Sequence, residues 1–489
     1  MGCSSGNTSE QTTGNKNTNN KQAKNANEKG NLPDIKVGPF LPLFQKYVTR
    51  KDLRSLSSEE QQRFYNAAVE MLTNTYRGGE SSEFFRLAKM HGMPEPYYCQ
   101  HGVESFLSWH RPYLIEFEES LQRADRIANP DFADQDPIAL PYWDWTQEIN
   151  GEVFPKIIRD NGWTLSNNFL NNGAKVRSDS SDDSLYLEDV LVQTRPTEDE
   201  YRSMISSYNI KKNAYGSLMT LNHKNWSYSY GQSAKNLETP HNDMHSMSGY
   251  PMRTVSFAAY DIIFYLHHCN IDRFFQAHLE MSHERGRNSK NEFKDHQEEL
   301  VADGASENYY TAAFDPFKTY PKEYYVTDTV TFGYRYDNLP SMLEYWRDFF
   351  IKIPFEIFAI AEFSREHFHK ISSQVHVFVF KNEDESKSWK VPNNKSFRKE
   401  KSFAGSAGIF TQTTKICTRC KEKGPITVHV DITDYIVNNK LDHDSVSIRI
   451  MTDSKEGFVE ENIDHKIVSS RVEKRALDLD LKTFNYTKR

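Results

Sequence analysis

The sequence predicts a mainly α domain, built as a helical bundle, followed by a C-terminal β-sandwich domain. Three observations point that way. Apolar residues recur at helical spacing in segments up to about residue 281. Beyond about residue 345 the texture changes to short runs that alternate apolar and polar residues, separated by turn-prone segments. A chain of 489 residues also exceeds what one ordinary core organises, at roughly 150 residues per domain.

Residues 1–32 hold Asn, Lys, Gly, Ser and Thr with almost no apolar side chain, so they bury too little surface to fold and are expected to be a disordered tail. The helical domain is placed at 33–345. Its first helix starts at Ser57-Ser58-Glu59-Glu60, where Ser57 caps and Glu60 stands three residues on. Phe64, Ala67, Ala68, Met71 and Leu72 continue its apolar stripe. Further helices are expected over Glu83 to Met90, through Tyr113 to Leu121, and from Ala258 to about Met281. The β-sandwich is placed at 346–455. Val375–Phe380, Ile426–Ile432 and Val446–Ile450 read as strands. Residues 456–489 form a C-terminal extension, and no internal repeat is visible.

The balance of 60 basic and 68 acidic residues, without a long basic block, argues against a nucleic-acid partner. No apolar run reaches the roughly 18 residues of a membrane-spanning helix. Five cysteines are few for a secreted disulfide scaffold, and no hydrophobic signal peptide opens the chain. Gly2 and Cys3 admit myristoylation with palmitoylation, although Gly6 stands where that motif wants Ser or Thr. Cys3 also fits the start of a mature lipoprotein, and an unmodified tail is the third reading. The expected location is therefore cytoplasmic, or membrane-tethered through lipidation at Gly2 and Cys3, with secretion the remaining alternative.

Nine of the 17 histidines fall in two windows. In the first, His91 ends a helix closed by Gly92 and Pro94, His101 lies in a loop, and His110 opens the next helix. Three imidazoles can converge from two helix ends and one loop. In the second, His241 and His245 stand four apart on one helix face, which presents two nitrogens to one metal. The neighbours His267 and His268 point about 100° apart on a helix, so one faces the site and the other serves as a hydrogen-bond partner or supports the ligands from behind. Asn242 stands where a zinc protease of the HExxH type carries glutamate. Imidazole suits copper, zinc, iron and nickel, so the clusters alone do not name the metal.

The pattern His101-x8-His110-Arg111 with Trp109, then His241-Asn242-x2-His245 and a Leu266-His267-His268-x-x-Ile271-Asp272-Arg273 run, resembles the type 3 copper family of tyrosinases, catechol oxidases and molluscan hemocyanin units. Leu140-Pro141-Tyr142-Trp143-Asp144-Trp145 and Phe332-Gly333-Tyr334-Arg335-Tyr336-Asp337 add to the resemblance, which covers about residues 85–450. One departure is Ile262 after Asp261, where the family usually has proline. The resemblance implies two copper ions, the first held by His91, His101 and His110, the second by His241, His245 and His268. It also implies a thioether between Cys99 and the His101 ring. The partners it implies are dioxygen and a phenolic small molecule, oxidised to an o-quinone by tyrosinase or catechol oxidase activity. A hemocyanin-like reversible dioxygen carrier is the alternative.

Three finer expectations follow from the same resemblance. Asn242 is a catalytic candidate that orients a water accepting the phenol proton, with Glu238 the nearest upstream carboxylate. Phe363 and Phe368 are candidates for a bulky side chain that the C-terminal domain places over the site. Cys417 and Cys420 form a CxxC pair that suits Cu(I) loading, and a disulfide or two free thiols are the alternatives.

Overall fold

The structure is a computed structural model. It describes residues 47–73, 82–92, 98–99, 101, 105–132, 135–161, 195–219, 235–255, 257–284, 313–321, 325, 327–350, 353, 355–363, 373–390, 395–410, 425–454, 457–459 and 467–476. Gly2, Cys3, Phe368, Cys417 and Cys420, with the 1–32 tail, lie outside the described residues.

Helix α1 (Ser58–Thr73) begins as the sequence predicts. The Ser57 hydroxyl accepts from the Glu60 N–H at 3.2 Å, and the Glu60 carboxylate accepts from the Ser57 N–H at 2.9 Å. Its buried stripe is Phe64, Ala67, Ala68, Met71 and Leu72, packed on α3 (Phe106–Ala128). Between them in sequence comes α2 (Glu83–His91), capped by Ser82, whose hydroxyl accepts from the Phe85 N–H. Further along the helical region come α4 (Lys156–Asn161), α5 (Glu198–Ser207), α6 (Ile210–Ser217), α7 (Glu238–Met247) and α8 (Ile262–Glu284), and three short helices follow later among the described residues.

Helix α8 is buried all round over residues 262–279 and forms the axis of the helical region. Its charged residues are paired, as burial demands. Asp272 accepts from Arg111 at 2.6 Å and from the hydroxyls of Tyr334 and Tyr336, each at 2.6 Å. Burial alone raises the Asp272 carboxyl, but Arg111, Arg50 and the two hydroxyls overcome it and hold the group below its ordinary value. Arg273 donates to Asp144 at 3.0 Å. The two sequence runs noted around Trp143 and Tyr334 therefore act together on this helix, and Tyr142 donates to Asp337 where they meet.

The strands are β1 (Val48–Arg50), β2 (Ala313–Phe314), β3 (Phe317–Pro321), β4 (Tyr334–Tyr336), β5 (Phe355–Phe363), β6 (Ser373–Phe380), β7 (Phe403–Ile409), β8 (Ile426–Asp431), β9 (Ser447–Ser454), β10 (Gly457–Val459) and β11 (Ile467–Ala476). Strands β1 and β4 pair in parallel, which ties the first described residues to the tyrosine run. The later strands form a four-stranded sheet, β10-β9-β6-β7, and a three-stranded sheet, β11-β5-β8, all antiparallel. Alternate residues of both sheets meet in one apolar cluster: Ile357, Ala359, Ala361 and Phe363 from β5, Val375, Val377 and Val379 from β6, and Val428 and Val430 from β8 among them.

The helical and sheet regions lie within one compact unit, residues 43–489. Strand β7 runs directly against α7. The Gly408 N–H donates to Asp243 Oδ1 at 2.5 Å, and Gln374 donates to the Ser246 carbonyl at 3.1 Å. Glycine is required there: a Cβ on residue 408 would lie 2.5 Å from Ser246 Oγ and 2.8 Å from the Asn242 carbonyl. A buried ionic group fixes the other side of the junction. Lys212 pairs with Asp431, and Lys235 pairs with Glu356 at 3.0 Å. No helix among the described residues is long and apolar enough to cross a membrane.

Candidate metal centre

Each histidine of the first cluster is delivered by a different device. His91 is the last residue of α2, His101 comes from the loop, and His110 lies in the second turn of α3. Their ring centroids form a nearly equilateral triangle, with sides of 5.6, 5.7 and 5.8 Å. His110 Nδ1 donates to the Phe106 carbonyl at 2.7 Å, which turns Nε2 toward the centre of the triangle. Cys99 stands beside them, its sulfur 3.4 Å from His101 Nδ1 and 3.7 Å from Nε2.

The second cluster joins α7 to α8. His241 and His245 project from one face of α7, and His268 meets them from α8. His268 Nε2 lies 3.3 Å from Nε2 of His241 and 3.3 Å from Nε2 of His245. Two nitrogens bonded to one metal at about 2.0 Å with a tetrahedral angle stand about 3.3 Å apart. Again the outer nitrogens are held: His245 Nδ1 donates to the Met252 carbonyl at 2.8 Å, and His241 Nδ1 to Asn242 Oδ1 at 2.9 Å. The two clusters face each other. The His110 and His268 rings stack with centroids 4.1 Å apart and planes 9° apart, and His101 lies 5.6 Å from His241.

The chemistry of this donor set fits a pair of copper ions. A metal takes neutral imidazole, and all six rings are held neutral at pH 7. Burial comes first and repulsion between neighbouring rings second in pushing His91, His101, His241 and His268 well below the usual imidazole range. Burial lowers His110 and His245 to about 3. Nδ1 of His268 is buried with no hydrogen-bond partner among the described residues. No carboxylate belongs to either group of converging ligand atoms.

The structure brings together all six histidines the sequence singled out and places Cys99 beside His101. Asn242 lies against the site, but its carboxamide oxygen is engaged by the His241 ring. Glu238 opens α7 and is fully buried, and its charge helps burial push up the Cys99 thiol. Phe363, a candidate for the shield, is an inward residue of β5 and shares the apolar cluster between the sheets. Phe410, immediately after β7, stands at the site. Its ring stacks on His245 at 4.0 Å and 14°, and lies 5.3 Å from His101 and 5.8 Å from His241.

Two more aromatic residues escaped the sequence reading. Phe264 packs on His91 at 4.6 Å and His268 at 4.2 Å, and Phe106 on His241 at 4.6 Å and His110 at 5.1 Å. Each lies four residues before a ligand on the same helix, so the i, i+4 rule pointed to both. His267 makes no hydrogen bond to a described residue, contrary to the expectation that it would support the ligands by one.

Residues 81–281, which contain both clusters, match the family model Tyrosinase, the common central domain of tyrosinase. The hemocyanin G-type, units Oda to Odg, of Enteroctopus dofleini is 26% identical over 268 residues, 50% of this chain and 8% of that one. The tyrosinase HcTyr1 of Hahella sp. (strain CCB-MM4) is 31% identical over 189 residues, 37% of each chain. The chain thus spans well under half the length of these relatives. Among solved structures, a functional unit from octopus hemocyanin superposes with a TM-score of 0.58 at 19% identity, over 87% of this chain and 99% of that one. Fold, ligand geometry and family model agree: the chain carries the common central domain of tyrosinase over residues 81–281, and its relatives include hemocyanins, tyrosinases and a polyphenol oxidase. Its cofactor is a dicopper centre.

Proposed function

We propose that the chain is a phenol oxidase of the tyrosinase or catechol oxidase kind. The observation that carries this reading is the Phe410 ring, lying flat on His245 at 4.0 Å. A benzene ring already fits against a ligand of the second copper, so a phenol of the same size and flatness fits once Phe410 withdraws. We assign His91, His101 and His110 to the first copper and His241, His245 and His268 to the second. The two sheets are read as the β-sandwich that covers this centre.

When bound, a copper pair binds dioxygen and takes two electrons from a phenolic substrate. The residues do the rest. The Phe106 and Met252 carbonyls and Asn242 fix three imidazoles in the tautomer that offers Nε2. Phe106, Phe264 and Phe410 keep the space between the clusters dry. Asn242 acts first by orienting His241, and a water held at its amide is the group suited to accept the phenol proton.

The test is metal analysis with oxygen uptake on catechol. Two coppers per chain are expected, with His245→Ala losing the second and all dioxygen binding. One zinc and no copper would end the reading. The same Phe410 ring also supports a carrier, because it closes the site to anything larger than dioxygen. Reversible oxygenation with no catechol turnover, even in Phe410→Ala, would establish the carrier instead.

A further inference from the structure

The second cluster holds one imidazole more than a copper ion of this type needs. His267 is fully buried, and one ligand nitrogen each from His241, His245, His267 and His268 lies within 4.8 Å of the others. Neither nitrogen of His267 has a hydrogen-bond partner among the described residues. Its ring lies 5.1 Å from His241 with planes 25° apart, and 4.8 Å from His245 in an edge-on arrangement. A purely structural histidine in a dry core is normally tied to a carbonyl, a carboxylate or a water. A polar ring left untied beside metal ligands is suited to bind what they bind.

The two neighbours differ in where they face. His268 stacks on His110 of the first cluster at 4.1 Å. His267 lies on the far side, next to Trp145, whose indole N–H is also buried without a partner among the described residues. Both remain within reach of α7, because the His241 and His245 rings lie 4.8 to 5.4 Å from each of them. Cu(I) accepts three nitrogens, and imidazole suits it. His241, His245 and His267 therefore make a second three-nitrogen set that shares two ligands with the first.

We propose that His267 is an alternate ligand of the second copper. It receives the ion with His241 and His245 during loading, at a position farther from the first cluster. Exchange of His267 for His268 then brings the copper to its working place beside the first. This inference rests on the dicopper reading. A wild-type chain without copper sinks that reading, whereas the outcomes below sink only the exchange.

The experiment is copper stoichiometry on the full chain loaded from a Cu(I)–bicinchoninate complex. His268→Ala is expected to keep two coppers, and His267→Ala with His268→Ala only one. One copper in the single variant, or two in the double, overturns the proposal. His267→Ala alone keeps the test clear of any folding defect in His268→Ala. It should still hold two coppers at equilibrium but take up the second more slowly, by about tenfold if removing this ring costs the loading position what outer partners cost a metal site. Uptake at the wild-type rate overturns the proposal as well.

Discussion

At the scale of single residues, Cys99 carries the clearest chemical prediction. Its sulfur is nearly equidistant from Nδ1 and Nε2 of His101, within van der Waals reach of Cε1, the carbon between them. A bond from sulfur to that carbon would break the S–H and C–H bonds, pass two protons and two electrons to dioxygen as oxidant, and fix a ring that no helix supports. Burial, with Glu238 second, pushes the thiol up and keeps it protonated before metal binds. The expected result is a proteolytic fragment pair containing Cys99 and His101, lighter by two hydrogens than its parts. Quantitative alkylation of Cys99 after denaturing the copper-loaded protein would exclude the bond. Asn242 carries a second prediction. Because its oxygen accepts from His241, Asn242→Ala should weaken the second copper by about tenfold and lower catechol and tyramine turnover together. Loss of tyramine turnover alone, at unchanged copper affinity, would instead make Asn242 the group that handles the phenol proton.

Strand β7 shows which features an element reveals in its sequence and which it hides. Ala404, Ser406, Gly408 and Phe410 alternate along one side, and small residues at 406 and 408 let the strand approach α7 before the bulky ring arrives. That signal was present, but nothing local said which helix the strand would meet. Phe363 was chosen by position in the chain, whereas the period of two in β5 sends it inward with Ile357, Ala359 and Ala361. The α elements were more legible. The cap at Ser57, the stripe of α1 and the His241–His245 face depend on neighbours within one turn, and each is found where spacing put it. Gly408→Ala tests the contact between elements. Its Cβ would press on the Asn242 carbonyl, which cannot swing away as a side chain can, so β7 must move outward with Phe410 two residues on. The melting temperature should fall while catechol turnover rises. Phe410→Ala should raise turnover too, at about 3 kcal/mol of stability lost with its buried ring. Turnover unchanged in both variants would leave β7 without a gating role.

For the whole molecule, the dicopper centre is also a reservoir of acid sensitivity. Seven imidazoles, His91, His101, His110, His241, His245, His267 and His268, are buried in contact with one another, and burial lowers every one of them. An unfolded histidine takes a proton near pH 6.5, while these do so only at lower pH, about 3 for His110 and His245. Between those limits the unfolded chain binds more protons than the fold, so stability is fully present above pH 6.5 and is lost as pH falls. Each ring contributes a slope of about 1.4 kcal/mol per pH unit in that range. The paired carboxylates cannot mimic this. Asp144 and Asp272 are held below their ordinary value and Glu83 at about 2, so their contributions disappear only below the unfolded carboxylate range near pH 4. The metal-free protein should therefore show a melting temperature that is flat from pH 8 to 7 and falls steeply from 6.5 to 5. Replacing His110 and His268, whose rings stack across the site, with phenylalanine should make that fall shallower by two protons. A flat profile from pH 7 to 5 in the metal-free wild type would show that the rings titrate as they do in water, and that the space between the clusters is wet.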